Sequence, residues 1–332
     1  MSALLAFAER QRWVWAAMGV ALLWLALGLG SDRFGLASIS GVARSASFLT
    51  LVALGQMFVI ATGRGNIDLS VASVVTLSAF VTVTLAEGRD ARLPLALGAA
   101  LATGALVGAA NALLVVRLRI AAMIATLAMG YVLATATLIV NRQVRSFETA
   151  PLLKSVASGR LGDLPVMALV ALAATLLSSF VLGRTAFGQA LSATGQSARA
   201  AELAGVRTGR TTAVAFMTSG LLAATAGALL SAYAGGAFLG MGSPYLLQSV
   251  GAVVVGGSLI LGGVSTALGT LLGALLLILV VSTMQIWRLP AGAQDMVQGL
   301  LIIGVLAVAG RRTLASQPSK RTKHRGWSGH TG

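Results

Sequence analysis

Residues 211–287 decide the fold because they contain no Asp, Glu, Lys, Arg or His; they read TTAVAFMTSGLLAATAGALLSAYAGGAFLGMGSPYLLQSVGAVVVGGSLILGGVSTALGTLLGALLLILVVSTMQIW. At about 1.5 Å per helical residue and about 20 residues per span, this stretch crosses a bilayer about three times. Backbone groups in lipid must be hydrogen-bonded within the chain, which leaves helices or a closed barrel. The apolar runs are continuous rather than alternating, so the sequence predicts helices.

The whole chain has the composition of an integral membrane protein. Of its 332 residues, 57% are hydrophobic and 10% are charged, and the mean hydropathy is +0.89. Soluble domains carry about 25% charged residues. The net charge of +15 sits in short loops and in the C-terminal tail, without a groove of basic and aromatic residues, so no nucleic-acid partner is expected. The absence of cysteine excludes disulfides, thiol catalysis and Cys-ligated metal sites.

The sequence predicts an all-α polytopic membrane protein of about ten transmembrane helices. The expected organisation is a cytoplasmic N-terminus (1–12), a transmembrane domain (13–310) with a loop at 184–210, and a basic, disordered cytoplasmic tail (311–332). Arg44 is assigned to the loop that precedes the second span. The predicted spans are about 13–30, 46–62, 67–86, 94–116, 120–140, 164–183, 211–234, 245–261, 264–286 and 295–310.

The distribution of basic residues orients these spans. Placing both termini in the cytoplasm puts 15 Lys and Arg inside and 9 outside, out of the 24 in the chain. Cytoplasmic loops of membrane proteins carry this excess of positive charge. The loop 184–210 is therefore expected on the cytoplasmic side.

That loop, RTAFGQALSATGQSARAAELAGVRTGR, predicts a short helix over 198–204 closed by Gly205. One interpretation is a solvated connector in which Arg199 and Glu202 pair three residues apart. The alternative, which the apolar face favours, is docking into a groove on a partner protein. The residues expected to couple the chain to that partner are Gly195, Arg199, Ala200, Ala201, Glu202, Leu203 and Gly205.

Four polar residues within or beside spans are candidates for a gate or a translocation path: Asn66, Asp68, Asn111 and Gln248. Asn66 or Asp68 could instead cap the third span, and each amide could simply join two helices. Two small-residue motifs, Gly104-x-x-x-Gly108 and Gly269-x-x-x-Gly273, predict close helix packing, either within the chain or at a dimer seam.

The sequence provides no catalytic or cofactor-binding centre of its own. Neither a phosphate-binding Gly-Lys motif nor a metal-ligand cluster is found, and both histidines lie in the tail. If ATP drives transport, another chain must bind it. The lack of intramembrane His weighs against a proton-coupled carrier.

Across roughly residues 45–310 the chain resembles the permease subunit of ribose-type sugar ABC importers. Three segments carry the resemblance: GNIDLSV (65–71), the loop with TAFG, ATGQ and AAELAGV (185–206), and AVVVGGS (252–258) followed by LGG (261–263). The resemblance implies alternating access driven by ATP and Mg on partner ATPase subunits. It also implies a periplasmic solute-binding protein, a second permease copy or paralogue, and residence in the bacterial inner membrane.

Several functions remain open from the sequence. The resemblance favours import of a sugar or related small polar solute, with a nucleoside or another furanose-like solute as an alternative. From a different class, an ATP-independent secondary carrier is the competing interpretation. Membrane lipids are expected contacts of the spans and of the basic tail.

Overall fold

The computed structural model describes residues 13–304, apart from 31–35, 145, 291, 295 and 302. The predicted N-terminal segment 1–12, the tail 311–332 and the end of the tenth predicted span lie outside the described residues. Within them the chain is almost entirely helical, with one two-stranded antiparallel hairpin that pairs Arg160 with Pro165. The all-α prediction is therefore confirmed for the described part of the chain.

The described helices vary widely in length. Six of the described helical segments are long and apolar enough to cross a membrane, whereas three apolar helices are shorter, so the predicted count of ten is not confirmed. Residues 292–294, 296–301 and 303–304 are also helical. The elements are α1 (Trp13–Gly30), α2 (Leu36–Ala61), α3 (Val71–Ala86), α4 (Leu93–Ala112), α5 (Ala122–Asn141), α6 (Pro151–Ser158), β1 (Arg160–Leu161), β2 (Leu164–Pro165), α7 (Val166–Arg184), α8 (Ala186–Gln196), α9 (Ala198–Leu203), α10 (Thr208–Ala234), α11 (Tyr245–Val255) and α12 (Ala267–Ile286).

Helix α10 lies at the centre and packs against α4, α3 and α2. Its approach to α4 is close because glycines face each other. A Cβ at Gly104 would collide with the backbone of Gly220, and one at Gly108 would collide with Phe216 and Met217. The first small-residue motif therefore serves packing within the chain, one of the two outcomes expected of it.

The second motif has the same use between α11 and α12. Gly269 lies against the backbone of Gly256, and Gly273 lies against Ala252. The hydrophobic effect does not drive helices together in lipid, so their association depends on the dispersion energy of close backbone contact. Both motifs are occupied by contacts inside the described chain.

Several predicted boundaries were wrong. Helix α2 begins at Leu36 and includes Arg44, which the sequence placed in a loop. Helix α3 begins at Val71 and α11 ends at Val255, because irregular backbone replaces the helix beside each glycine cluster. The loop after α5 contains α6 and the hairpin, which carry too few residues to give a periodic signal.

Candidate functional site

The first break is the irregular segment 62–70 between α2 and α3. After Thr62 it has three successive residues in the left-handed region: Gly63 (φ 78°), Arg64 (φ 58°) and Gly65 (φ 70°). Left-handed backbone is accessible to glycine and costs other residues roughly 1 kcal/mol. This turn ends α2 and directs the chain back into the protein, where Asp68 and Ser70 are buried.

Asp68 organises the first break. Its Oδ1 accepts from the backbone N–H of Ser70 (3.0 Å) and from the Ser70 hydroxyl (2.6 Å). Its Oδ2 accepts from the hydroxyl of Ser219 on α10 (2.9 Å). A buried carboxylate is tolerated only when its oxygens are hydrogen-bonded, as these are. Asp68 therefore fastens the start of α3 to the central helix.

Three further helices hold the same break. The amide of Asn111 on α4 donates to the Ser70 hydroxyl (2.8 Å). Thr126 on α5 accepts from the N–H of Leu69 (2.9 Å). The amide of Gln56 on α2, assigned by its available partners, donates to the Asp68 carbonyl and accepts from the Asp68 N–H, each at 3.2 Å. Buried irregular backbone persists only when its N–H and C=O groups are hydrogen-bonded in this way.

The expectation that Asn66 or Asp68 caps α3 was wrong. Ser70 occupies the N-cap position and its side chain makes no capping bond; its hydroxyl donates to Asp68 and accepts from Asn111. Asn66 donates to the hydroxyl of Thr62 inside the break (2.9 Å). Both candidates stabilise the turn rather than the first helical N–H groups.

The second break, residues 256–266, lies between α11 and α12 and is held mainly by backbone. Gly257, Gly262 and Gly263 all have φ near +90°, at 91°, 87° and 83°. The Leu259 N–H donates to the carbonyl of Val264 (3.0 Å), which closes the segment on itself.

The two breaks meet each other and the end of α8. A Cβ at Gly262 would collide with the backbone of Gly63, and one at Gly195 would collide with Ala61 and Gly263. The Gly263 N–H donates to the carbonyl of Ala61 (3.2 Å). We call this contact of Gly63, Gly195, Gly262 and Gly263 the glycine junction. No side chain separates the backbone of α8 from that of either break at this contact.

Helix α9 follows the junction immediately. It spans Ala198–Leu203, begins at the N-cap Ser197 and is followed by Gly205 in the left-handed region (φ 83°), which confirms the predicted short helix and its glycine. The solvated-connector interpretation expected Arg199 to pair with Glu202, but no ion pair joins these two described residues, and Glu202 instead accepts from the hydroxyl of Thr208 (2.6 Å).

One face of α9 is apolar and open. Leu203 is 84% exposed, more than any other large apolar side chain in the described chain. Ala200 and Ala204 are exposed beside it, whereas Ala201 is buried. Exposed large apolar side chains in contiguous patches mark surfaces that contact a partner.

A cavity of about 910 Å³ lies between the first break, the turn from α4 to α5, and the region around α9. Arg64 and Arg119 line it, and both have left-handed backbone (φ 58° and 57°). Asn66 and Glu202 line the same cavity. The structure thus brings a predicted gate candidate and a predicted coupling residue to one space.

The four gate candidates divide between separate environments. Asp68 and Asn111 belong to one network through Ser70. Gln248 does not join them, since its amide donates to the side chain of Gln298 (2.5 Å), a contact between α11 and the helical segment that follows α12. Sequence reasoning missed Ser219, for which no signal existed: serine in a helix usually bonds its own backbone.

Comparison with known proteins places the chain among transport proteins. Residues 38–306 match the family model described as branched-chain amino acid transport system / permease component. An autoinducer 2 import system permease protein, LsrC, of Klebsiella pneumoniae subsp. pneumoniae is 37% identical over 88% of this chain and 84% of its own length. The same-named proteins of Enterobacter sp. and Yersinia pseudotuberculosis serotype O:1b are 36% and 33% identical, over 80% and 96% of this chain and 77% and 90% of their own lengths. No solved structure matches the chain.

Proposed function

The chain belongs to the branched-chain amino acid transport system / permease component family, and from that premise we propose that it is the membrane-spanning subunit of an ATP-driven importer. Its cargo is a small polar, sugar-like solute, for which autoinducer 2 is the leading candidate because the relatives are named for its import. The chain resides in the bacterial inner membrane with both termini in the cytoplasm.

The glycine junction is the observation that carries this proposal. A force applied to α9 acts on α8, whose Gly195 touches the backbone of both breaks. Irregular segments that interrupt helices are where transporters bind and pass their substrates. The junction supports a mechanism in which closure of ATPase subunits moves α9 and thereby shifts the two breaks.

The breaks also account for the short helices. Residues 62–70 precede α3 and residues 256–266 follow α11, so each break extends an apolar helix that is too short to cross the bilayer alone. We count ten spans in this way: the six long helices, the three shorter apolar helices α1, α3 and α11, and the segment after α12. The solute path lies beside the breaks, and the second copy or paralogue supplies the facing wall.

Leu203 and its exposed neighbours on α9 form the surface that the ATPase grips. Burying this apolar helix face in a groove removes it from water, which favours binding by roughly 25 cal/mol per Å² of apolar surface. ATP and Mg bind to that partner, and a periplasmic binding protein delivers the solute on the opposite side.

The test is co-purification of an ATPase with the tagged chain from gently solubilised membranes, comparing wild type, Leu203→Glu and Leu161→Glu. Both leucines are exposed, but Leu161 lies in the hairpin before α7, at the opposite end of that helix from α8. We expect Leu203→Glu to lose the ATPase at least tenfold and to abolish ATP-dependent uptake of autoinducer 2. Retention of the ATPase by Leu203→Glu, or its absence from wild type, would contradict the proposal.

A further inference from the structure

The cavity of about 910 Å³ beside α9 is large enough for a small molecule, since ligand pockets commonly measure roughly 300–1,000 Å³. Its walls come from the first break, from the turn between α4 and α5, and from α9 with the start of α10. One of these elements is the helix that the ATPase is proposed to move. A molecule bound in the cavity therefore touches both the first break and α9.

The lining of this cavity is positively charged. Arg64 and Arg119 contribute two cations and Glu202 contributes one carboxylate, and the other lining residues are uncharged, which leaves a net charge of +1. The carboxylate of Glu202 already accepts from the hydroxyl of Thr208 (2.6 Å). Both arginines are exposed, so a molecule that enters from solvent reaches them. An anion is the ligand that this charge attracts.

Both arginines stand at backbone positions that disfavour them. Arg64 and Arg119 have φ of 58° and 57°, in the left-handed region that glycine adopts without strain. Arg64 lies between two glycines of the same left-handed run, Gly63 and Gly65. Strained backbone of this kind concentrates at functional sites. The backbone does not explain an arginine at either position, whereas a contact made by its guanidinium does.

The donors of the cavity define the class of anion. The hydroxyls of Thr62 and Thr194, which also line it, donate to main-chain carbonyls (2.7 Å each), so the two guanidinium groups are the main donors that it offers. A planar guanidinium matches the paired oxygens of a phosphate. A phosphate monoester carries about −1.5 to −2 charges near pH 7 and three free oxygens, enough for two arginines.

We propose that this cavity binds a phosphate monoester between Arg64 and Arg119, either on a soluble molecule or on the head group of phosphatidic acid. In the proposed orientation, on which this inference rests, the cavity faces the cytoplasm, where both sources are present. The bound phosphate joins the first break to the turn between α4 and α5. An acidic side chain of a docked protein is the less suitable occupant, because it brings one charge to two cations.

The test measures ligand-induced thermal stabilisation of the purified full-length permease in lipid-free detergent at constant ionic strength. The probes are 10 mM D-ribose 5-phosphate, with 10 mM D-ribose as its phosphate-free control, and phosphatidic acid added to the detergent. We expect at least one phosphate probe to raise the melting temperature of wild type by at least 2 °C, and D-ribose to leave it unchanged. The probe that does so identifies the source of the phosphate.

Three variants make the result specific. Arg64→Gly and Arg119→Gly remove a guanidinium and relieve the strained backbone, so each should melt no lower than wild type without ligand and should lose most of the shift. Arg117→Gln is the matched control, since Arg117 is an exposed arginine two residues from Arg119 that does not line the cavity. Arg117→Gln should keep the full shift.

Four outcomes would overturn the inference: no shift of wild type with either phosphate probe, an equal shift with D-ribose, a shift that survives in both Arg64→Gly and Arg119→Gly, or an equal loss in Arg117→Gln. An equal loss in Arg117→Gln would assign the effect to general surface charge. No ATPase and no transport step are present in this assay, so its failure is distinct from failure of the import function, which ATPase co-purification tests.

Discussion

The two breaks interrupt helices in the same way and are held by opposite means. The first, residues 62–70, is polar and is fastened by the hydrogen bonds of Asp68, Ser70 and Asn111. The second, residues 256–266, depends on glycines that fit against backbone, with Thr266 donating its N–H to the Ser258 hydroxyl (3.3 Å). Directional bonds fix an orientation, whereas close packing fixes only a distance. The first break is therefore fixed by side-chain hydrogen bonds, whereas the second is fixed by glycine packing and by the backbone bond from Gly263 to Ala61.

The largest effect should come from adding one methyl group where the breaks meet. In Gly262→Ala the new Cβ would collide with the Gly63 backbone at a left-handed φ of 87°. Strain and overpacking together should cost roughly 3 kcal/mol or more of the free energy of unfolding. The matched control is Gly65→Ala, also left-handed (φ 70°) but with open space around its Cβ, which should cost only about 1 kcal/mol.

Unfolding in SDS titrations of the purified protein measures both variants. Equal stability of Gly262→Ala and Gly65→Ala would show that backbone conformation, rather than contact between the breaks, limits this position. The junction would then not transmit movement by steric contact.

The next largest effect should come from removing the acceptor at the centre of the first break. Asp68→Ala leaves the Ser70 N–H and the hydroxyls of Ser70 and Ser219 without their partner, which should cost about 2–4 kcal/mol. Ser78→Ala is the control, because the buried hydroxyl of Ser78 has no hydrogen-bond partner among the described residues. Ser78→Ala should leave the free energy of unfolding unchanged in the same titration. A loss as large as that of Asp68→Ala would show that the hydrogen bonds of Asp68 contribute no more than any buried polar group.

A smaller loss should follow from cutting the single bond between the first break and α10. Ser219→Ala removes one hydrogen bond to the Asp68 carboxylate and should cost about 1–2 kcal/mol. Its neighbour Thr218 is partly exposed, and its hydroxyl donates to the carbonyl of Val214. Thr218→Ala should change stability by less than about 0.5 kcal/mol, so the difference between adjacent positions isolates the bond.

The smallest effect should be found in the second break. Ser265 has a buried hydroxyl without a partner among the described residues. Ser265→Ala should leave stability unchanged or slightly raised, whereas Ser70→Ala should cost about 1–2 kcal/mol because it loses bonds to Asp68 and Asn111. If Ser265→Ala lowers the free energy of unfolding as much as Ser70→Ala, the two breaks are not stabilised by different means.

The contrast between the breaks also explains what the sequence could predict. Continuous apolar runs predicted the membrane helices, and strong helix formers before Gly205 predicted α9, because both signals are local. The Asp68–Ser219 bond joins residues 151 positions apart, and nothing near Ser219 indicates it. The glycine junction could not be predicted either, because the sequence does not show whether a glycine packs against lipid or against another backbone segment.

Arg44 shows that a local sequence signal can also give a wrong prediction. A charge at the edge of an apolar run predicts a loop, as the sequence analysis states for Arg44. The helix nevertheless continues through Arg44, whose guanidinium lies over the ring of Tyr233 on a helix far along the chain. Tertiary contact outweighed the local rule.

The burial of α2 has a consequence for how the protein is made. It is the least apolar of the six candidate spans and the most enclosed, with 83% of its apolar stretch buried against 22% for α7. Its neighbour α10 is synthesised about 150 residues later, which takes roughly 10–30 s at bacterial elongation rates. During that interval α2, with Arg44, must be sheltered by the insertion machinery or wait at the membrane surface. Biogenesis of this chain should therefore be sensitive to the supply of insertase, and α2 should be the segment whose membrane insertion fails first when the insertase is depleted.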